Sequence, residues 1–447
     1  MLDTFNIILI VSFFLISILI GYFSSRNENS EGFFIANRKL GLFQSVMTIS
    51  GSFVGAMTLL VYTAFVFVYG ISAIWMFVGF IIGFILFSMF AVKLKEYSKG
   101  KKFYTLADYL KSKFDRRTSI IMIFVLFVWY FGTLSAQFIG GGKVLNQLTG
   151  MSFSFSAIIM CSVILIYLIL GGFKSVVKTD VFQFLMLGFV LTLIVFTIKS
   201  GISVPVEYFN LFNAGIVNII AFLFLGILTP FAVQDYYQRI FAMKNKKIVK
   251  KSFLISIGIV TIISFFLTYI GLVARTNFVG IDADTAVLFA FTKLVPPVLI
   301  GLVTILFFSA ILSSADTFLF VISMNFTNDF LGSRLKTSKQ KVLATRIAIF
   351  VIGVLALILA LLVPNIVDIT IIFKAIGLII SPIIFIIWLF GGDKKVIKYT
   401  IFTLGFLILL IASFGYIKPE LTIIGSVGGF FVYGFYKLLF KILKRFK

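Results

Sequence analysis

Ser309 to Phe320 reads S-A-I-L-S-S-A-D-T-F-L-F, inside an apolar run from Val298 to Asn328 whose only charged residue is Asp316. The run is longer than the ~20 residues a helix needs to cross a bilayer. Ala310, Ser313, Ser314 and Thr317 fall at i, i+3, i+4 and i+7, so they share one helix face. Asp316 lies at the edge of that face, about 60° round from Ser313 at ~100° per residue. Small residues, three hydroxyls and a carboxylate are thus gathered at membrane depth. A carboxylate there costs roughly 2.5–3.5 kcal/mol unless something offsets it. Hydroxyl, carboxylate and carbonyl oxygens suit a hard cation, which would offset it directly. The serines alone equally suit a helix-packing seam, since small hydroxylated residues let helices approach closely. With Asp316 on the same stretch, the reading is an ion site.

The rest of the chain supplies the membrane. Hydrophobic residues make up 61% and charged residues 12% of its 447 positions, which excludes an ordinary soluble domain and a disordered chain. The class expected is an all-α polytopic membrane protein. Histidine is absent and Cys161 is the single cysteine. Zinc, haem and imidazole-base chemistry are therefore not expected, nor is an intramolecular disulfide. With no thiolate pair and no nucleophile–base arrangement, the chain does not read as an enzyme.

The net charge of +23 suggests nucleic acid until its placement is considered. Of 39 Lys and Arg, 33 fall in alternate loops: 24–40, 93–119, 173–178, 237–251, 329–346, 391–398 and 437–447. The intervening loops carry 5, and Lys374 lies inside a span. This is the positive-inside pattern, so the lipid bilayer is the expected partner and nucleic acid is not. It places the N-terminus outside and the C-terminus in the cytoplasm of a multi-pass protein of the cell membrane.

Spans are expected at Phe5–Phe23, Leu42–Tyr69, Ile71–Val92, Ile120–Lys143, Phe153–Leu170 and Thr179–Ile198. They continue at Ile216–Gln234, Phe253–Val273, the Asp316 run, Leu343–Leu362, Ile366–Leu389, Ile401–Tyr416 and Leu421–Leu439, about thirteen in all. The first lacks a preceding positive residue and is followed by Arg26, so it does not read as a cleaved signal peptide. Thr105 to Phe114 reads as a short amphipathic helix capped by Thr105. Arg275 to Pro297 suggests a short outer helix or lid, and Gly171 to Asp180 a very short inner loop.

Two five-span halves at 42–198 and 213–389 would form an inverted repeat, five being odd. Both open with an interrupted helix, at Ser50-Gly51-Ser52 with Gly55 and at Gly226 with Thr229-Pro230. Glycine weakens a helix and proline removes one of its hydrogen bonds, so carbonyls can come free at both places. Matching breaks in two halves point to a central binding site.

Four stretches resemble the sodium:solute symporter family, which includes sodium-coupled carriers of sugars, proline, pantothenate and sialic acid. They are Phe33 to Gly41, Ala136 to Leu145, Gly171 to Gln183 (G-G-F-K-S-V-V-K-T-D-V-F-Q) and Tyr237 to Asn245 (Y-Q-R-I-F-A-M-K-N). The resemblance covers nearly the whole chain in the right order. It implies a leucine-transporter-type 5+5 inverted repeat with one extra N-terminal and two extra C-terminal helices. It also implies a sodium site from the carbonyls of Val46, Ile49 and Ala310 and the hydroxyls of Ser313 and Ser314. Some members add a second cation at positions matching Asp180, Ser313, Asp316 and Thr317. Several of those have a hydroxyl residue where this chain has Asp316, which leaves open a tighter second cation, a proton carrier, or neither. Asp180 also has a plainer role available, capping a span that begins at Val181.

Solute contacts are implied at Ser50, Phe53, Gln137, Thr229 and Lys374. Phe53 equally suits packing among 58 phenylalanines. Lys374, several residues into a span, is costly there: it holds a carboxylate of the solute, pairs with an acid such as Asp316, or snorkels outward. The expected partners are sodium, as coupling ion rather than cofactor, and a small organic solute such as a sugar, amino acid or organic acid. The function expected is inward symport by alternating access. A proton-coupled carrier using Asp316 and a non-transporting solute sensor are the alternatives.

Overall fold

The computed structural model of the protein describes residues 4–25, 30–197, 203–278, 280–332 and 334–443. Among the described residues every regular element is helical, apart from one bridge between Leu40 and Met243. In order the α-helices are α1 (Thr4–Ser25), α2 (Ser30–Ile35), α3 (Leu42–Phe53), α4 (Tyr62–Tyr69), α5 (Trp75–Tyr97) and α6 (Leu106–Lys113). Next come α7 (Arg116–Thr149), α8 (Phe153–Thr197), α9 (Gly215–Ala232), α10 (Gln234–Ala242), α11 (Lys246–Asn277) and α12 (Ala286–Leu294). The last are α13 (Ile300–Phe326), α14 (Ser338–Leu362), α15 (Ile366–Leu378), α16 (Ile380–Phe390), α17 (Lys394–Ser413) and α18 (Leu421–Leu443).

Eleven helical segments among the described residues are long and apolar enough to cross a membrane. Two of them, Met57–Tyr97 and Phe153–Leu193, have 41 residues each. At ~1.5 Å per residue each is about twice the ~30 Å hydrocarbon core. Each contains a glycine at positive φ, Gly70 at 65° and Gly172 at 58°, where a right-handed helix must give way. Each therefore holds enough chain for two crossings.

The turn at Gly172 corrects the inner loop expected over Gly171 to Asp180. Helix resumes directly after Gly172, so Asp180 lies well inside α8 and caps nothing. Its carboxylate accepts from Thr48 and Arg239 instead. Ile198, the expected end of that span, lies outside the described residues. A second correction concerns 237–251, expected as an inner loop: α10 and the start of α11 occupy it, and every residue of α10 is buried. The short helices at Thr105–Phe114 and within Arg275–Pro297 are present as α6 and α12. Asp108 secures the first by accepting from the backbone N–H groups of Tyr104 and Thr105.

Two interruptions shape the centre. α3 stops at Phe53, the backbone swings out at Val54 (φ −92°, ψ 75°), and a π-turn over Met57–Val61 leads into α4. The break falls at the glycine-rich stretch where it was expected. In the second, helix geometry continues through Pro230 and fails only at Val233 (φ −65°, ψ 105°). Side chains brace the break, one on its own backbone and one on a carbonyl of α7. Tyr237 Oη donates to the Phe231 carbonyl (2.6 Å) and Gln234 Nε2 to that of Leu126 (3.1 Å).

The two broken regions are tied together. Leu40 N–H donates to the Ala242 carbonyl (3.1 Å), and Lys244 N–H to that of Leu40 (3.2 Å). Gln238 Nε2 reaches the Phe34 carbonyl at 3.0 Å. Two separated sequence stretches, Phe33 to Gly41 and Tyr237 to Asn245, thus become neighbours. α13 packs against α8, α7 and α3, buried over nearly its whole length.

Candidate ion and solute site

α13 presents two chemically different faces. Toward α3, Ser313 Oγ donates to the Gly51 carbonyl (3.1 Å) and to that of Ala310 (3.0 Å), and Ser314 Oγ to that of Ser52 (3.3 Å). These α3 carbonyls lie where the helix comes apart. Val46 and Ile49, the expected carbonyl donors, are buried on the same helix, but the hydroxyl contacts fall nearer the break. Gly55 completes the junction: a Cβ there would collide with the side chains of Ser314 and Gln137. Gln137 holds the break from α7, accepting from Ala56 N–H at 2.9 Å.

Toward α8, Asp316 Oδ2 accepts from Tyr167 Oη (2.9 Å) and Thr179 Oγ1 (3.4 Å). Asp316 is fully buried, and its Oδ1 has no hydrogen-bond partner. Asp180 Oδ1 and both amide atoms of Gln183 on α8 are likewise unpartnered. Leaving such groups unmatched costs about 1–3 kcal/mol each. Mostly neutral oxygens with few carboxylates suit a monovalent cation, and among the described residues no group of three or more acidic, Cys or His side chains converges on a metal position.

Arg239, fully buried, dominates the space between these faces. Its Nη2 donates to Ser52 Oγ (2.6 Å), Asp180 Oδ2 (3.1 Å) and Thr317 Oγ1 (3.1 Å). Nη1 donates to Asp235 Oδ2 (2.9 Å) and the Asp235 carbonyl (3.3 Å), and Nε to Thr48 Oγ1 (2.8 Å). The planar, permanently charged guanidinium can saturate acceptors from four helices at once, which a lysine cannot. Two of the four expected second-cation residues, Asp180 and Thr317, are therefore already bound to Arg239. The sequence reading gave Arg239 and Asp235 no role. The signal was present: Arg239 sits within Tyr237 to Asn245, and Asp235, in the first turn of α10, lies four residues before it.

Beside this cluster lies a cavity of about 60 Å³ bounded by the break after α3, α5, α7, the α9–α10 break, α13 and α15. Phe53, Gln137, Thr229 and Lys374, all expected solute contacts, line it, and so does Ser314. Ser50 does not; its hydroxyl meets Ser256 on α11 at 3.2 Å. Lys374 is 6% exposed, so it does not snorkel, and among the described residues it forms no ion pair with Asp316 or any other acid. Its Nζ meets Met57 Sδ (3.5 Å) and lies 5.6 Å from the centre of the Trp129 ring.

In sequence and in fold the chain resembles known proteins. Residues 33–391 match the model of the sodium:solute symporter family. The high-affinity proline transporter PutP of Bacillus subtilis is 25% identical over 368 residues, 77% of this chain and 78% of the relative. Sodium/proline symporter 2 of Staphylococcus saprophyticus is 24% identical, covering 72% of this chain and 68% of the relative. A solved structure of a Na+-coupled sialic acid symporter, substrate-bound and outward-open with a novel Na+ site, superposes with a TM-score of 0.82. The match spans 96% of both chains at 19% identity and shows a shared fold.

Proposed function

This chain belongs to the sodium:solute symporter family, and we propose that it carries a compact organic solute inward with sodium by alternating access around the α3 break. It is a sodium-coupled membrane transporter, not an enzyme. One observation carries the finer reading: the hydroxyls of Ser313 and Ser314 rest on carbonyls of a broken helix more than 250 residues away in sequence. Backbone and hydroxyl oxygens of this kind make a ready sodium shell, with Val46, Ile49 and Ala310 supplying further carbonyls. Inward sodium movement contributes ~2.3 kcal/mol per charge per 100 mV, besides its concentration term. Sodium would hold α3 against α13 and so shape the adjoining cavity; by linkage, solute then tightens sodium equally.

The repeat halves 42–198 and 213–389, about thirteen crossings, an outer N-terminus, an inner C-terminus and residence in the cell membrane belong to this reading. The orientation is supported by the alternation of basic segments, and the crossing count by the two 41-residue runs that turn at Gly70 and Gly172. Phe53, Gln137, Thr229 and Lys374 are the solute contacts it favours, with Ser50 behind them. Proline and sialic acid, the solutes in the names of similar proteins, are the first to try.

The test is uptake into proteoliposomes as sodium is varied. Ser313→Ala and Ser314→Ala should each raise the sodium concentration for half-maximal uptake several-fold; unchanged dependence in both would remove them from the site. A second reading rests on Asp316, whose recorded side-chain partners, Tyr167 and Thr179, are both neutral: it carries a proton or a second cation. Asp316→Asn should then alter pH or sodium dependence, and a variant that alters neither would end that role. Counterflow without net sodium movement separates a carrier from a sensor that merely binds.

A further inference from the structure

The one basic side chain on the wall of the central cavity, Lys374, has no acid beside it among the described residues. Lys374 Nζ has only a thioether and the indole ring of Trp129. Trp129 Nε1 is buried without a partner, and among the described residues no acceptor engages Gln137 Nε2. The one carboxylate on the wall is matched already, while the hydroxyls of Thr58, Thr133 and Thr229 donate to backbone carbonyls and keep lone pairs for a solute. Asp235 Oδ1 is held by Tyr130 Oη (2.5 Å) and Oδ2 by Arg239 (2.9 Å), and Gln137 Oε1 by Ala56 N–H (2.9 Å). The remaining walls include Phe53, Phe80 and Phe318. A lysine in such surroundings calls for an anion, and no wall offers a free carboxylate to an amine.

We propose that the solute is a compact monocarboxylate with an apolar body and no cationic group, its carboxylate paired with Lys374 beside Trp129. This rests on the symporter reading of the same cavity and adds the substrate class. An ammonium against a carboxylate is a charge-assisted pair, which a neutral amide of equal shape cannot reproduce.

The test is thermal stability of the purified full-length protein, in sodium or potassium, with matched pairs: butyrate and butyramide, benzoate and benzamide, and proline as the zwitterion. At least one acid should stabilise the protein in sodium, with its amide and proline at least about tenfold weaker, as a charged hydrogen bond implies. Lys374→Met should abolish the acid's effect while leaving stabilisation by sodium alone, and Lys374→Arg should restore part of it. The proposal is overturned if acid and amide act alike, if proline exceeds every acid, if no acid acts, or if Lys374→Met keeps the acid response. Should Lys374→Met not fold, the acid–amide comparison on the unaltered protein decides. Absence of any sodium effect on the unaltered protein would count against the sodium reading, leaving the acid–amide ratio to judge the carboxylate.

Discussion

Two basic side chains are buried near the centre of this molecule, and their surroundings are opposites. Arg239 has six acceptors within hydrogen-bond distance, two of them carboxylates. Lys374 has a sulfur and the face of an indole. Fully matched buried charge fixes a structure, because removing either side strands the other. Unmatched buried charge costs free energy in the resting protein, and a ligand that supplies the counter-charge relieves it. On the proposed reading, the contrast separates a residue that holds helices together from one left free for a solute.

The harshest way to break the comparison is Arg239→Met. Asp180 and Asp235 would be stranded together, and stability should fall by about 3–5 kcal/mol, read as a large loss of melting temperature or of folded protein. A near-normal melting temperature would mean that the cluster is not a lock. Asp235→Asn trims one partner and keeps the Tyr130 contact, so about 1–3 kcal/mol should be lost, with Arg239 still held by Asp180. The smallest effect on stability should come from Lys374→Met, within about 1 kcal/mol and on the stabilising side, since an unpaired charge is replaced by a similarly long apolar chain. A large destabilisation there would make Lys374 structural and erase the distinction.

How much of this was legible depended on whether the cause was local. The α3 break was readable, since Gly51 and Gly55 weaken a helix wherever they stand. The division of α13 was only half readable: ~100° per residue sets Asp316 about 60° from Ser313, but the sequence gathered them into one ion site, and it is the packing of α3 and α8 on different sides that parts them. Val233 was not: neither glycine nor proline, it is a break held open by Tyr237, Gln234 and the carbonyls they reach. Asp180 was misplaced because the turn needed only Gly172, after which Phe173 onward is ordinary helix-forming sequence. Arg239 was visible as a motif and silent as chemistry. Its partners lie 59 to 191 residues away, apart from Asp235 four residues before it, and no periodicity announces them.

Arg239 also constrains how the molecule can move. One guanidinium reaches α3, α8, α10 and α13, and those bonds share a single rigid plane. Sliding α13 off α3 needs only its one bond from the fork, to Thr317, and the Ser313 and Ser314 contacts to give way. Asp180 and Asp235 stay matched by the same guanidinium meanwhile. Arg239 thus pins α3, α8 and α10 into one block and leaves α13 the most lightly moored of the four.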